Sequence, residues 1–286
     1  MNKLSEKIMH AVFFIAAIAS IIAVLLICIF LFANGIPAIG KIGLFDFLLG
    51  TSWKPTDVPP SFGIFPMILG SIYVTAGAIV IGVPIGILTS VFMSHYCPKR
   101  IYKVLKPATE LLAGIPSVVY GFFGLVVIVP VIRYLFGGTG SSILAASVIL
   151  GIMILPTIIG VSESAIRSVP QSYYEGSLAL GATHERTIFR VCLPAARSGI
   201  MAGVVLGIGR AIGETMAVIM IAGNQPRMPA GILKGVRTLT ANIVIEMGYA
   251  ADLHREALIA TGVVLFIFIL IINISFSVLK RKENKQ

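Results

Sequence analysis

Long apolar runs separated by short polar connections dominate this chain. A helix that crosses the hydrocarbon core of a bilayer needs about 20 mostly apolar residues, because each residue adds about 1.5 Å along the helix axis. The pattern predicts an all-α membrane protein with six transmembrane helices, built as a single integral-membrane domain over residues 1–286. The six predicted spans are residues 11–32, 65–93, 111–134, 143–161, 200–222 and 257–279.

The overall composition supports the same class. Hydrophobic residues make up 57% of the chain, charged residues make up 12%, and the mean hydropathy is +0.98. Soluble domains average about half apolar and about a quarter charged residues. The bilayer is therefore the expected solvent for most of the protein surface.

Lysine and arginine cluster in alternate connections, and this predicts the orientation. Short loops rich in these residues are retained on the cytoplasmic side of a membrane. Both termini and the connections after the second and fourth spans are therefore predicted to be cytoplasmic. Most of the net charge of +10 lies in these flanks, so it does not indicate nucleic-acid binding. The flanking cations are Lys3, Lys7, Lys99, Arg100, Lys103, Lys106, Arg167, Arg186, Arg190, Arg197, Lys280, Arg281, Lys282 and Lys285.

Motif and position argue against several other classes of protein. The first apolar run is too long for a cleaved signal peptide, and no small-residue cleavage pattern follows before Gly35, so we expect an anchor helix. The three cysteines and four histidines match no metal site in number or spacing. Residues 35–41 begin like a phosphate-binding loop, but Ile42 stands where Ser or Thr would reach magnesium. We therefore predict no metal site in this chain and, if transport is driven by ATP, an ATPase in a separate polypeptide.

A polar, helix-prone segment lies between the fourth and fifth spans, within a connection of about residues 163–198. Its first helical stretch is followed by Gly181, which permits a chain reversal because glycine tolerates positive φ. A second stretch starts near Thr183 and is expected to end at Leu193 and Pro194, because proline disfavours helix continuation. The segment is therefore predicted to form a short helix-turn-helix on the membrane surface that docks on a partner.

The spacing within this segment resembles the cytoplasmic EAA loop of ABC importer permeases. Gly176 and Ser177 stand where that family prefers two alanines, and Val191 stands where it prefers Ile. Both departures keep the side chains small or β-branched. The resemblance implies that the loop contacts a separate ATPase. The matching residues are Glu175, Gly176, Ser177, Gly181, Val191, Leu193 and Pro194.

The fifth span carries glycines and two charges at helical spacing. Gly199, Gly203, Gly207, Arg210 and Glu214 fall on one face if the helix is continuous. Glycines let another helix approach closely, and a charge at membrane depth faces a protein interior or a water-filled cavity. We therefore predict that Arg210 and Glu214 lie in a substrate pathway. The alternative is an i, i+4 ion pair that holds this helix to its neighbours, although Arg before Glu is the weaker order for such a pair.

An arginine in such a pathway suits an oxyanion. Its planar guanidinium binds phosphate-like oxygens in a fork. A neighbouring carboxylate at Glu214 would repel the anion and prevent tight trapping. The pair is therefore expected to pass an anion along rather than hold it.

Longer segments resemble the phosphate-specific permeases among ABC importers. The stretch GIGRAIGETMAV at residues 207–218, with Asn224 beyond it, resembles their fifth span, and GIPSVVYG at residues 114–121 resembles their third. WKP at residues 53–55 and FGIFP at residues 62–66 make the chain more similar to the PstC type than to the related PstA type. The resemblance extends over nearly the whole chain.

This resemblance implies a type I ABC importer permease in the cytoplasmic membrane of a prokaryote. Such a subunit pairs with a homologous PstA-type permease and sits on a homodimeric cytoplasmic ATPase that binds ATP and magnesium. It receives phosphate from an extracytoplasmic binding protein. The resemblance also implicates Arg210 and Glu214 in moving phosphate, and it implies that this chain has no catalytic residue and no cofactor of its own.

Several alternatives stay open at this point. A permease for sulfate, molybdate or another oxyanion would share the docking loop, whereas a lone ion-coupled carrier would not need it. A sensor subunit is expected to carry an added cytoplasmic signalling domain, for which the short tail after Leu279 leaves no room. The basic segment at residues 223–255 either attracts an anion or, as we favour, is a solvated outer loop. Pro116 and Pro130 either kink the third span or serve packing.

Overall fold

The protein is described by a computed structural model covering residues 3–283, which form a helical bundle with one short hairpin. Single π-helical turns follow three of the helices, at Phe92–Tyr96, Gly124–Ile128 and Ile188–Cys192. Strand β1 (Trp53–Lys54) pairs antiparallel with β2 (Ser61–Phe62). The α-helices are α1 (Lys3–Ile42), α2 (Leu44–Leu49), α3 (Phe65–Val91), α4 (Lys99–Gly114), α5 (Ser117–Phe123), α6 (Val129–Phe136), α7 (Ile143–Arg167), α8 (Gln171–Ala179), α9 (His184–Thr187), α10 (Leu193–Ala195), α11 (Arg197–Gly213), α12 (Met216–Ile221), α13 (Leu239–Glu246) and α14 (Asp252–Glu283).

Helix α7 lies between α3 and α11 and forms the centre of the bundle. Its Ile154 and Ile158 are fully buried. Glycines on the neighbouring helices make room for them: an added Cβ at Gly82 of α3 would lie 2.7 Å from Ile154 Cγ1, and one at Gly207 of α11 would lie 2.9 Å from Ile158 Cγ1. Small residues allow this approach where lipid supplies no hydrophobic driving force between helices.

Three predicted spans lie inside longer continuous helices, namely α1, α7 and α14, and the predicted span over residues 65–93 covers α3 and the start of the π-helical turn that follows it. Helix α1 has 40 residues, and is therefore about 60 Å long, more than a bilayer requires. It packs on α14, where an added Cβ at Gly35 would collide with Val263. The segment that begins like a phosphate-binding loop is thus part of a helix and not a loop.

The third span begins later than predicted. Helix α4 ends at Gly114, Ile115 and Pro116 are extended, and the apolar span covers Ser117–Phe136. Pro116 causes the break because it disfavours α conformation in the residue before it. Of the two roles left open for Pro116, the structure therefore shows the kink, and Pro130 lies in the first turn of α6, directly after a π-helical turn.

The fifth span is not the continuous helix predicted over residues 200–222. Helix α11 ends at Gly213, and Glu214 has an extended backbone with ψ 133°. The Glu214 carboxylate accepts a hydrogen bond from Ala217 N at 3.1 Å, and its carbonyl oxygen accepts one from Thr240 Oγ1 at 3.0 Å. These two bonds satisfy polar groups that the break frees, as irregular backbone at membrane depth requires.

The docking segment forms the predicted helix-turn-helix, with one difference at its end. Gly181 has φ +84°, as a sharp reversal requires, and Thr183 caps α9 by accepting a hydrogen bond from Arg186 N at 3.3 Å. The helix does not stop at Leu193 and Pro194 but continues through α10, and the chain then bends by 68° into α11. Pro194 is tolerated because it lies in the first turn of α10, where a proline N–H is not needed.

Candidate functional site

Arg210 lies in the last turn of α11 and is half-buried. A cation is favoured there by the negative end of the helix dipole. Within residues 3–283, its guanidinium makes no hydrogen bond and no ion pair, although it is near enough to Tyr120 for an electrostatic interaction. A guanidinium is therefore held partly inside the bundle without a charged partner among the described residues.

Glu214 does not pair with Arg210, so the alternative reading of these two residues as an i, i+4 ion pair is wrong. The helix ends at Gly213, and the carboxylate turns to the amide of Ala217 at the start of α12. Glu214 consequently leaves the glycine face on which a continuous helix would have placed it. Its negative charge lies at the break itself, next to the C-terminal turn that carries Arg210.

The glycine face of α11 packs on α7, as the sequence indicated. An added Cβ at Gly199 would overlap Ala165, and one at Gly203 would lie 3.1 Å from Ser162 Oγ. The two helices meet here along small residues. Arg210 lies further along α11, in its last turn, beyond Gly199 and Gly203.

The two segments that carry the family resemblance are in direct contact. On α5, an added Cβ at Gly121 would lie 2.9 Å from Ala217 Cα and 2.8 Å from Met220 Sδ of α12. The Tyr120 hydroxyl donates a hydrogen bond to the Leu112 carbonyl at 2.8 Å, across the break at Pro116. The contact between α5 and α12 thus brings together the two segments that follow the helix breaks at Pro116 and Glu214.

The helix-turn-helix that carries the predicted docking residues is held against the bundle by buried side chains, and hydrogen bonds join its two helices. Ile188 is fully buried against α3, α7 and α11. Tyr174 and His184 share a hydrogen bond of 2.6 Å that ties α8 to α9, and Ser177 and Thr187 share one of 2.9 Å. The loop is therefore an ordered structure that is held against the helices of the bundle.

The outer face of this loop presents both polar and apolar groups. Leu180 is 90% exposed, and Tyr173 and Phe189 are each more than half exposed. Of the predicted docking residues, Ser177, Val191 and Leu193 are half-buried, whereas the exposed ones are Glu175, Gly176, Gly181 and Pro194.

A buried carboxylate network, which sequence reasoning missed, connects α4 to the end of α7. Glu163 is 1% exposed. It accepts hydrogen bonds from Tyr102 Oη at 2.6 Å, Lys106 Nζ at 2.9 Å and Arg167 Nε at 2.8 Å. Arg167 also donates to the Met93 carbonyl at 2.8 Å. The available sequence signal was an acid at the end of an apolar run with an arginine four residues later.

A second buried network lies in the basic segment that we expected to be a solvated outer loop. Glu246 is 5% exposed and pairs with Arg237. It also accepts a hydrogen bond from Trp53 Nε1 at 2.8 Å and contacts His254 Nε2 at 2.8 Å. The favoured expectation is therefore wrong for Arg237, whose charge is neutralised inside the fold and does not attract an anion.

Comparisons with known proteins agree on the class. Residues 82–285 match the family model described as "Binding-protein-dependent transport system inner membrane component". The chain is 43% identical to the probable ABC transporter permease protein YqgH of Bacillus subtilis, an alignment covering 90% of this chain and 86% of that protein. It is 36% identical to the phosphate transport system permease protein PstC of Mesorhizobium japonicum, covering 94% and 88%.

Solved structures share the fold at lower identity. A chain of a bacterial alginate ABC transporter, solved in complex with an alginate-bound periplasmic protein, superimposes with a TM-score of 0.65 at 18% identity, covering 98% of both chains. The fold and its broken central helices define a multi-pass membrane permease of the type I ABC importer class. The chain belongs to the binding-protein-dependent transport system inner membrane components and, within them, to the PstC-type permeases.

Proposed function

We propose that this chain is a permease subunit that moves inorganic phosphate across the cytoplasmic membrane in an ATP-driven importer. The observation that supports this most is Arg210, a half-buried guanidinium with no hydrogen bond or ion pair in the described part of the chain. A guanidinium binds phosphate oxygens in a bidentate fork. The curated relatives named as phosphate permeases support the same substrate.

In this proposal Glu214 limits how tightly the anion is held. Its carboxylate lies at the helix break and is held by the amide of Ala217. A fixed negative charge close to the pathway weakens anion binding at Arg210, because like charges repel. Phosphate would therefore pass the site without being trapped there.

The docking loop is proposed to contact a homodimeric cytoplasmic ATPase, which supplies the ATP and magnesium chemistry. Support comes from the exposed Leu180, Tyr173 and Phe189 beside Glu175. Substituting Leu180→Asp should release the ATPase from the purified complex while leaving the permease folded. Arg255→Asp, an exposed change on another helix, is the matched control.

A homologous PstA-type permease is proposed to cover the exposed face of α5. Val119 and Phe122 are 52% and 60% exposed there, although α5 also packs on α12. Pairing of two such permeases would enclose a pathway between them. An extracytoplasmic phosphate-binding protein would deliver the anion from the outer side.

Phosphate uptake in a strain lacking this chain tests the proposal. Initial uptake of radiolabelled phosphate at limiting concentration should be lost on deletion and restored by the intact chain, with sulfate and molybdate failing to compete. Normal phosphate uptake with impaired uptake of labelled sulfate would keep the permease fold and overturn the substrate.

A further inference from the structure

One cation of helix α4 contacts the bundle, whereas three others are exposed. Lys106 turns inward and donates to the buried Glu163 at 2.9 Å. Lys99, Arg100 and Lys103 are exposed, and no residue of α4 is buried. Lys106 fixes the helix to the bundle, whereas Lys99, Arg100 and Lys103 make no hydrogen bond or ion pair with the described residues and can bind another partner.

An exposed apolar stripe runs along the same helix. Ile101, Val104 and Leu111 are 49%, 69% and 74% exposed. Their spacing of three and seven residues places them on one face. Lys99 and Lys103 lie on another face, whereas Arg100, four residues before Val104, lies at the edge of the stripe. An amphipathic helix whose apolar face is bordered by basic residues is typical of helices that lie in the plane of a membrane surface.

The position of α4 agrees with such a location. Tyr102 and Lys106 of α4 reach Glu163, which is one turn before the end of the apolar helix α7. Arg167, the last residue of that helix, is bonded to the carbonyl of Met93 near the end of the second span. Helix α4 therefore lies at the level where two membrane spans end.

The charge distribution points to an anion outside the chain. Lys99 and Arg100 occupy the first turn of α4, and that turn contains no acidic residue. Cations there oppose the positive end of the helix dipole. An external anionic surface compensates both the dipole and the cluster of like charges.

We propose that α4 lies in the bilayer interface, with Ile101, Val104 and Leu111 at the boundary between headgroups and acyl chains and with Lys99, Arg100 and Lys103 bound to the headgroups of anionic lipids. Charge complementarity favours an anionic lipid surface over a second protein chain. The proposal does not depend on which solute is transported.

Lipid retention by the intact complex tests the charge part of this proposal. The complex is purified from a defined mixture of phosphatidylglycerol and phosphatidylcholine, and the bound lipids are counted by native mass spectrometry. The triple variant Lys99→Gln, Arg100→Gln and Lys103→Gln should retain severalfold less phosphatidylglycerol. The control variant Lys54→Gln, Lys234→Gln and Arg255→Gln removes the same charge elsewhere and should retain the wild-type amount. Equal retention by the two variants would overturn the proposal.

A spin label at Val104 tests the location of the apolar stripe. Val104→Cys is labelled in the assembled complex after Cys28, Cys97 and Cys192 are replaced by Ser, and is reconstituted in the same lipid mixture. Access to oxygen with low access to a polar nickel reagent is the expected result. Protection from both reagents would mean that a protein chain covers the helix, and free access to nickel would mean that it lies in water. Either result contradicts the proposal.

Discussion

Arg210 and Arg237 are both arginines within the bundle, but they have opposite surroundings. Arg237 is bonded to Glu246, Asn242 and the Asn224 carbonyl, whereas Arg210 has no hydrogen bond or ion pair within the described residues. The sequence singled out Arg210 because it is a charge within a predicted apolar span. It did not distinguish Arg237, because the partner Glu246 is brought near only by the folding of α13.

The first prediction concerns Arg210. Arg210→Gln removes charge-assisted bonds to the anion, so we expect initial phosphate uptake to fall about tenfold or more. Arg210→Lys keeps the charge but loses the fork, and should give an intermediate rate. Uptake is measured at equal amounts of assembled complex, with Arg255→Gln as a charge-matched control. Wild-type uptake by Arg210→Gln would remove this residue from the pathway.

The second prediction concerns Glu163. Glu163→Gln leaves Lys106 and Arg167 without their carboxylate, but both cations are partly exposed, so water offsets some of the loss. We expect unfolding free energy to fall by about 1–3 kcal/mol. Thermal unfolding of the purified complex measures this, with Glu6→Gln as control, because Glu6 is exposed and has no ion pair among the described residues. An equal effect of the two substitutions would contradict the role of the network.

The pH dependence of that network has a defined sign. Hydrogen bonding to Glu163 raises the pKa of Lys106 above its ordinary value of 10.5 and raises the pKa of Tyr102 above 10.0. Both groups therefore stabilise the fold fully below those ordinary values and lose this contribution as the pH rises through the raised values. The stability difference between wild type and Glu163→Gln should be constant near neutral pH and shrink above about pH 10.

At the scale of the elements, the apolar pattern predicted the helices better than their ends. Breaks at Pro116 and Gly181 were predictable, because they follow from the local chemistry of proline and glycine. The break at Glu214 was not, because the sequence stays apolar on both sides and the broken geometry depends on Thr240, 26 residues away. Long-range hydrogen bonds of this kind leave no periodic signal in the sequence.

The third prediction concerns the contact of α11 with α7. In Gly199→Ala the new methyl group would overlap the Ala165 side chain, so we expect a loss of about 1–3 kcal/mol despite the better helix propensity of alanine. Gly160→Ala, which meets nothing within 4 Å, should not destabilise the protein. The double variant Gly199→Ala with Ala165→Gly should recover much of the loss. A lower unfolding temperature for Gly160→Ala than for Gly199→Ala would contradict this packing.

At the scale of the whole molecule, the fold and family fix the class but not the orientation. Both termini and the docking loop are predicted to be cytoplasmic from the distribution of Lys and Arg. Val58 and Leu180 are 97% and 90% exposed, and three apolar helical spans separate them. They are therefore suitable probes for opposite sides of the membrane.

The fourth prediction tests this orientation by cysteine labelling. In a chain whose native cysteines are replaced by Ser, Val58→Cys should react with an impermeant maleimide on intact cells. Leu180→Cys should react only after the cytoplasmic membrane is permeabilised. Labelling of Leu180→Cys on intact cells would invert the topology and place the docking loop away from ATP.

The central claim is tested most directly by reconstituting the complete complex in proteoliposomes with its ATPase on the outer surface and its binding protein enclosed. Export of labelled phosphate from the lumen is then measured on addition of ATP, with labelled sulfate in a parallel sample. We predict ATP-dependent movement of phosphate but not of sulfate, and its loss in Arg210→Gln. Movement of sulfate without phosphate, or phosphate movement unchanged by Arg210→Gln, would contradict the mechanism proposed for this permease.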